Sequence, residues 1–320
     1  MLRRLFWLAA LALLAAVVAT WMLWWSPGEK AGPTRVTVAE GASLSSVADQ
    51  LASEKLIPGS ATSFKLFAKL FGSSDAIQAG EFELPGGASA AEILDILQHG
   101  RAVVQLVTIP EGMPSILVQE KLAAVKELSG PAPLPAEGTV LPNSYDWQAG
   151  ETRAAVVIRM QMAMAKALAE EWAKRSPRAV VKTPEEAIIL ASIVEKETGK
   201  ASERTMVAGV LSNRIRIGMA LGADATTIYP ITKGKPLGRM IRKSELAADN
   251  GYNTRRRTGL PVGPITNPGR ESIAAALNPA QTDALYYVAD GSGGHVFART
   301  LEEHNANVAK WRQYRREKGI

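Results

Sequence analysis

The chain has 320 residues, 47% of them hydrophobic, 21% charged and 6% aromatic, which allows one large or two modest domains and excludes global disorder. It has no cysteine and three scattered histidines (His99, His295, His304), so disulfides, thiolate zinc sites, a cysteine nucleophile and a lipid-modified N-terminal cysteine are excluded, and a histidine-rich metal centre is disfavoured. The formal charge of +6 would hint at nucleic acid only if the charges faced the cytoplasm.

The N-terminus argues that they do not. Residues 5–25 read LFWLAALALLAAVVATWMLWW, 21 residues without a charge. As a helix this run spans roughly 30 Å, the hydrocarbon thickness of a bilayer. Arg3 and Arg4 precede it, and Trp21, Trp24 and Trp25 gather at its far end as an interfacial belt would. The alternative is a cleaved signal peptide, whose apolar part runs about 7 to 15 residues and ends at a small-residue site. A longer run ending in tryptophans favours an uncleaved anchor. With the basic end inside, residues 1–4 form a cytoplasmic tip and the rest is exported. Subtracting Arg3 and Arg4 from +6 leaves +4 outside, a weak pointer toward anionic envelope polymers or lipid head groups and away from nucleic acid.

Residues 26–34 (SPGEKAGPT) are a linker, too rich in Gly and Pro to continue a helix. Val36 and Val38 alternate as in a short strand, Gly41 turns the chain, and Ser43 caps a helix with the stripe Leu44, Val47, Ala48, Leu51. A second helix follows at SATSFKLFAKLFG. GEFELPGG reads as strand and turn, and SAAEILDILQHG as a helix between a Ser89 cap and a Gly100 stop. RAVVQLVTIPEG is β-prone. Residues 35–110 therefore form a small α+β module.

Residues 111–150 connect. PSILVQEKLAAV is a helix begun by proline, and PAPLPAEGTVLPNSYDWQAG an irregular stretch, a boundary or a lid. A second domain, 151–320, opens with a long helix from about Thr152 to Arg175, whose alanine and methionine stripe is core. In TPEEAIILASIVEKETG, Thr183 caps a helix with acids in its first turn. Ala187 to Val194 are nearly all apolar, so that helix is buried on most sides. It ends in Glu195 and Glu197. A carboxyl group at the rim of a buried helix is where desolvation can lift its pKa into general-acid range. Two residues apart, the pair point about 200° from each other, so one at most faces a given cleft. Glu197 shares a stripe with Leu190, Ile193 and Val194, and Glu195 with Ile188, Ala191 and Ser192. Composition alone also permits a merely solvated helix terminus.

SERTMVAGVLSNRIRIGM is a helix expected to be capped by Ser202, with Asn213 and Arg214 near its end. LGADATTIYP places Asp224 in a turn. GYNTRRRTGLPVGPITNPG is a long loop in which Tyr252, Asn253 and Thr254 suit a sugar cleft or an ordinary ordered loop. Arg255, Arg256 and Arg257 could meet a carboxylate or phosphate, or be solvated. SIAAALNPA is a short helix, ALYYVAD and HVFART a hairpin around GSGG, and LEEHNANVAKWRQYRREKG a terminal helix. His295 and His304 read as structural.

The run LASIVEKETGKASERTMVAGVLSNRIRIGMALGADATTIY, with GYNT, GLPVGPITNPG and YYVADGSGGHVFARTLEEHN, resembles the endolytic murein transglycosylase (YceG-like) family. EGTVLPNSYDWQAG resembles that family's EG-x-x-FPDTY segment, with Leu141, Asn143 and Ser144 departing. VAEGASLSSVADQLASEKLI resembles its small LysM-like subdomain. The fold class implied is α+β: one transmembrane helix, a LysM-like module and a mixed α+β catalytic domain. The resemblance implies an inner-membrane, single-pass enzyme with a cytoplasmic N-terminus and a periplasmic catalytic domain. Its partners would be peptidoglycan glycan strands, the membrane and peptidoglycan synthases. It would cleave the β-1,4 bond between N-acetylmuramic acid and N-acetylglucosamine by a lyase reaction that leaves a 1,6-anhydro end. One carboxyl group suffices, first as acid and then as base. The family's catalytic glutamate carries over to Glu197, which the stripe also prefers. Asn213, Arg214, Asp224, Tyr252, Asn253 and Thr254 are the candidate substrate-binding residues. Asp224-Ala225-Thr226 stands where the family has DPT, and Arg255 to Arg257 where it has an aromatic or aliphatic residue.

No cofactor or metal is implied, so cleavage should be insensitive to chelators, thiol reagents and reductants. Inhibition by EDTA that zinc or magnesium reverses would contradict a single-carboxylate reaction. Two other readings stay open: a muramidase-type hydrolase with Asp224 as second carboxylate, and a non-catalytic, membrane-anchored peptidoglycan-binding scaffold.

Overall fold

The computed structural model describes residues 2–148 and 150–319, and the chain separates into two compact units between Gln105 and Leu106. The architecture is mixed α+β, with short two-stranded sheets among helices.

The first unit begins with helix α1 (Leu2–Trp24), the one helix among the described residues long and apolar enough to cross a membrane. Its large apolar side chains from Leu5 to Met22 are all exposed, whereas Trp24 is buried among the residues that follow. Strand β1 (Thr34–Val38), helices α2 (Leu44–Ser53) and α3 (Ala61–Phe71), strand β2 (Gly80–Leu84) and helix α4 (Ala90–His99) complete it. β1 and β2 are antiparallel, with Val36 opposite Phe82. Period-2 alternation puts Val36, Val38, Phe82 and Leu84 inward, against Val47 and Leu51 of α2 and Ile93, Leu94 and Leu97 of α4. Ser43, Ser60 and Ser89 each accept a hydrogen bond from the backbone N–H three residues on, so the helix starts follow their caps. The linker is not free. Gly28 donates to the Gly87 carbonyl at 3.1 Å, and Gly87 donates to Lys30 at 2.6 Å, which lays the linker against the module.

The second unit takes in residues 106–150. Strand β3 (Gln105–Ile109), helix α5 (Ser115–Ala124) and strand β4 (Asn143–Trp147) share a core with helix α6 (Arg153–Ala173), built from Val107, Ile109, Val118, Leu122, Tyr145, Trp147, Val156 and Met160. The β-prone run after residue 101 thus pairs with β4, which lies inside the proline-rich stretch 131–150 expected to be irregular. Prolines and glycines crowd the approach to β4 and hide its alternation of buried Tyr145 and Trp147.

Helices α7 (Pro184–Glu197), α8 (Arg204–Arg216), α9 (Asp224–Thr232) and α11 (Arg270–Leu277) build a second core around Leu190, Ile193, Val207, Leu211, Leu221 and Ile273, while the short α10 (Lys243–Ala247) buries no side chain. Each such fully buried aliphatic side chain contributes about 1.5–3 kcal/mol. Strands β5 (Tyr286–Ala289) and β6 (His295–Ala298) form an antiparallel hairpin, and helix α12 (Leu301–Lys318) closes the chain. Two local expectations change. Ser202 lies in a 3-10 turn, Ala201–Glu203, and does not cap α8. Asp224 starts α9 and is not in a turn; a carboxylate in the first turn complements the helix dipole.

Candidate active site

Helix α7 sets the site. Thr183 accepts from the Glu186 N–H at 3.2 Å, Pro184 occupies the first helical position, and Ala187, Leu190, Ala191, Ile193 and Val194 are fully buried. That packing fixes the helix rotation, and with it the directions of the two terminal glutamates.

Glu195 is committed to structure. Its carboxylate accepts from the Gly269 N–H at 2.9 Å and lies 3.9 Å from Arg204, which donates to Glu111 at 2.6 Å. One turn earlier, Ser192 accepts from the Ile265 N–H at 3.1 Å. This face of α7 fastens the loop over 265–269. A Cβ on Gly269 would lie 2.0 Å from a Glu111 oxygen, so a side chain there would have to displace the Glu111 carboxylate. Glu195→Ala, which leaves the Gly269 N–H without its acceptor, should cost about 1–3 kcal/mol in a thermal or denaturant melt. Glu195→Gln keeps an acceptor and should cleave at close to the wild-type rate. Loss of activity in a folded Glu195→Gln protein would contradict the structural assignment.

Glu197 faces elsewhere. Tyr287 donates its hydroxyl to Glu197 Oε2 at 2.8 Å. Burial pushes the Glu197 carboxyl above the ordinary carboxylate range; the Tyr287 hydrogen bond pulls it down, the Asp224 charge raises it, and His295 and Arg214 lower it, with burial prevailing. Burial, together with the neighbouring Glu197, also lifts the Tyr287 phenol well above its usual value. Such a carboxyl group retains its proton to higher pH than an exposed one, as a general acid must.

The β5–β6 hairpin supplies the other wall. Tyr287 pairs with Phe297 and Ala289 with His295, so alternation puts Tyr287, His295 and Phe297 on one face. The His295 ring stands edge-on to Tyr287 at 5.4 Å and its Nδ1 lies 2.8 Å from Glu203. Burial alone would raise the Glu203 carboxyl, but side-chain and backbone hydrogen bonds from His295 bring it below its usual value. On the opposite face the His304 ring stacks on Tyr286 at 5.2 Å. His304 fits its structural reading, whereas His295 belongs to the surroundings of Glu197.

Arg214 spans the back of the site. It donates to the Leu285 and Leu221 carbonyls at 2.6 Å each, and its guanidinium lies 5.6 and 5.8 Å from the ring centres of Tyr286 and Tyr287. Asp224 is exposed and held by Arg255, with two guanidinium nitrogens at 2.9 and 2.5 Å from one oxygen. Arg257 meets Asp249 at 2.7 Å. Two of the three arginines thus meet carboxylates of this chain. Tyr252 is half-buried, its ring 4.9 Å from Tyr229. A cavity of about 450 Å³ adjoins: its lining includes Lys196 and Ala225, the chain neighbours of Glu197 and Asp224, with Glu111, Met113, Leu117 and Ile228.

Three expected substrate contacts are turned inward. Asn253 is fully buried, its amide donating to the Leu246 and Ala248 carbonyls and its oxygen accepting from Thr227 and the Arg255 N–H. Thr254 is buried on Thr226 at 2.8 Å and accepts from the Ala223 N–H. Asn213 donates to the Thr282 and Ala284 carbonyls and accepts from Arg216. A buried polar group must be satisfied locally, and these side chains frame the loops. Among the described residues no group of three or more His, Asp or Glu is placed to hold a metal.

The YceG-like family model matches residues 36–310. The endolytic murein transglycosylase of Bacillus subtilis is 33% identical over 184 residues, 58% of this chain and 50% of that protein. The protein of the same name from Streptococcus pneumoniae serotype 2 is 30% identical over 239 residues, 72% of this chain and 40% of that protein. The chain therefore spans half or less of the curated relatives it matches. A crystal structure of a YceG-like protein from Listeria monocytogenes superposes with a TM-score of 0.54 at 26% identity, covering 86% of this chain and 98% of that one.

Proposed function

The chain belongs to the YceG-like family, and from that premise we propose that it is an endolytic peptidoglycan lytic transglycosylase with Glu197 as its acid–base residue. The protonated Glu197 carboxyl gives its proton to the glycosidic oxygen as the bond from muramic acid C1 to the N-acetylglucosamine O4 breaks. The muramyl C6 hydroxyl then attacks C1, and the Glu197 carboxylate takes the hydroxyl proton. One bond breaks, one forms, the proton returns, and no water is consumed. The observation that carries this reading is the setting of Glu197: a carboxyl that burial raises above the ordinary carboxylate range, with a phenol poised to stabilise the carboxylate left after transfer. Asp224, clamped by Arg255, is poorly placed to activate a water as a hydrolase would require. Arg214, Asp224 and Tyr252 are proposed to border the bound glycan, while Asn213, Asn253 and Thr254 hold the loops that carry them. Mass spectrometry of muropeptides released by the purified protein is the test. A 1,6-anhydro end is expected; a free reducing end would indicate a hydrolase, and binding without cleavage a scaffold.

The first unit is proposed to be LysM-like and to engage glycan beside the membrane, supported by its own compact core and β-α-α-β order between residues 34 and 84. α1 is proposed as an uncleaved inner-membrane anchor with Arg3 and Arg4 inside, which puts both folded units in the periplasm, near nascent strands and their synthases. A fully extended nine-residue linker could reach about 30 Å, but the hydrogen bonds of Gly28 and Lys30 to Gly87 shorten it. The mature protein should sediment with membranes; a soluble periplasmic form beginning after residue 20 would refute the anchor.

A further inference from the structure

Helix α3 carries more apolar surface than its module buries. Phe64 and Ala68 face the core, but Leu66, Leu70 and Phe71 are 54%, 62% and 48% exposed. At about 100° per residue, Leu66, Leu70, Phe67, Phe71, Phe64 and Ala68 fall on one arc, interrupted only by Ser63 in the first turn, whose hydroxyl donates back to the Ser60 carbonyl, with Lys65, Lys69 and Thr62 on the remainder. Beyond that first turn the apolar face runs from the core out into the surroundings. An exposed stripe of this kind on a helix with lysines at its edge is the pattern of a helix lying in a bilayer interface.

What the stripe adjoins identifies its occupant. Trp24, the last residue of α1, lies 5.6 Å from Phe64 and 6.1 Å from Phe67 by ring centres. Trp25, itself 46% exposed, lies 5.0 Å from Phe71, which stacks on Phe67 at 6.0 Å. The exposed face of α3 is therefore continuous with the tryptophan end of α1. Where α1 spans a bilayer, those tryptophans lie at head-group depth, and the helix packed against them lies at the same depth.

We propose that α3 is a membrane-interface helix, with Leu66, Leu70 and Phe71 inserted among the lipids around α1, and Lys65 and Lys69 directed to lipid phosphates. Lys65 donates to the Ser45 hydroxyl at 3.2 Å and retains further donors for a phosphate. This inference rests on α1 being an anchor. It adds that the first unit is seated on the lipid by a second element and is not merely tethered. The occupant is the bilayer itself, favoured by anionic head groups, and not a protein partner.

The absence of cysteine makes a direct test clean. Leu70→Cys, and separately Leu66→Cys, Leu11→Cys in α1 and Glu302→Cys in α12, would each carry an environment-sensitive fluorophore in the full chain. The proteins are reconstituted in phosphatidylcholine–phosphatidylglycerol vesicles and probed with chain-brominated lipids and aqueous iodide. Labels at 70 and 66 should be quenched several-fold more by lipid brominated near the head group than the label at 302, and be shielded from iodide. If label 11 is quenched by lipid while labels 70 and 66 meet iodide as label 302 does, the interfacial helix is wrong and the anchor stands. If label 11 also meets iodide, both fall. Labels at 70 and 66 shielded from iodide and bromolipid alike would mean that protein covers the stripe, and would overturn the proposal.

Discussion

Replacing Glu197 by Gln should lower the rate of glycan cleavage by at least about 10²- to 10⁴-fold, because the amide cannot supply the proton that the leaving oxygen needs. The geometry makes this variant informative. Gln has the size and shape of Glu, and its side-chain oxygen can still accept from the Tyr287 hydroxyl. The fold should survive, and stability at neutral pH should equal or exceed that of the parent. The sign follows from linkage: the Glu197 carboxyl titrates higher in the folded chain than in the unfolded one, because burial disfavours its charged form. Folding is then favoured by protonation, and that contribution is lost as pH rises through the unfolded-state value toward the folded one. An amide never ionises and escapes the loss. The expected pair of results is therefore a collapsed cleavage rate beside a melting temperature that no longer falls as pH rises through this range. Full activity in a folded Glu197→Gln protein would remove Glu197 as the acid.

The separation of the two glutamates was legible because a buried helix has few degrees of freedom. Once Leu190, Ile193 and Val194 were assigned to the core, Glu195 and Glu197 had to diverge, and Ser192 with Glu195 had to share a face. The structure gives that face a purpose, holding Ile265 and Gly269. Helix starts were legible for the same local reason, since Ser43, Ser60, Ser89, Thr152, Thr183 and Thr300 all accept from the N–H three residues on. Ser202 did not cap, because the turn before α8 is 3-10 and Glu203 there is drawn into a pair with His295, 92 residues away. No local pattern encodes such a partner. The inward placement of Asn213, Asn253 and Thr254 was hidden for a related reason: a polar side chain looks the same in sequence whether it meets a ligand or a distant carbonyl. The placement of Tyr287 beside His295 and Phe297 was within reach, because hairpin register and alternation suffice to bring the three to one face. That this face meets the end of α7 is tertiary information.

Tyr287→Phe should lower the plateau of cleavage by about tenfold to a hundredfold while moving the alkaline limb of the pH profile to higher pH. The ring stays, so the packing against His295 and Phe297 at 5.4 and 6.1 Å is retained and only the hydroxyl is lost. That hydroxyl donates at 2.8 Å to a carboxyl group that, in the proposed reaction, passes from neutral to charged as it gives up its proton. A hydrogen bond to a charged group is worth about 1.5–3 kcal/mol, more than one to a neutral partner, so it stabilises the transition state more than the ground state. At about 1.4 kcal/mol per tenfold, its loss gives the stated fall in rate. The same bond pulls the Glu197 carboxyl downward, against burial. Without it the carboxyl holds its proton further into the alkaline range, and the limb along which activity disappears by deprotonation moves with it. The two effects have opposite consequences for rate at high pH, and this sets a positioning role apart from simple damage. A loosened site would lose rate at every pH and, with burial relieved, would move the limb to lower pH, opposite to the shift expected here. A Tyr287→Phe protein with an unshifted limb and an unchanged plateau would show that the phenol does not act through Glu197.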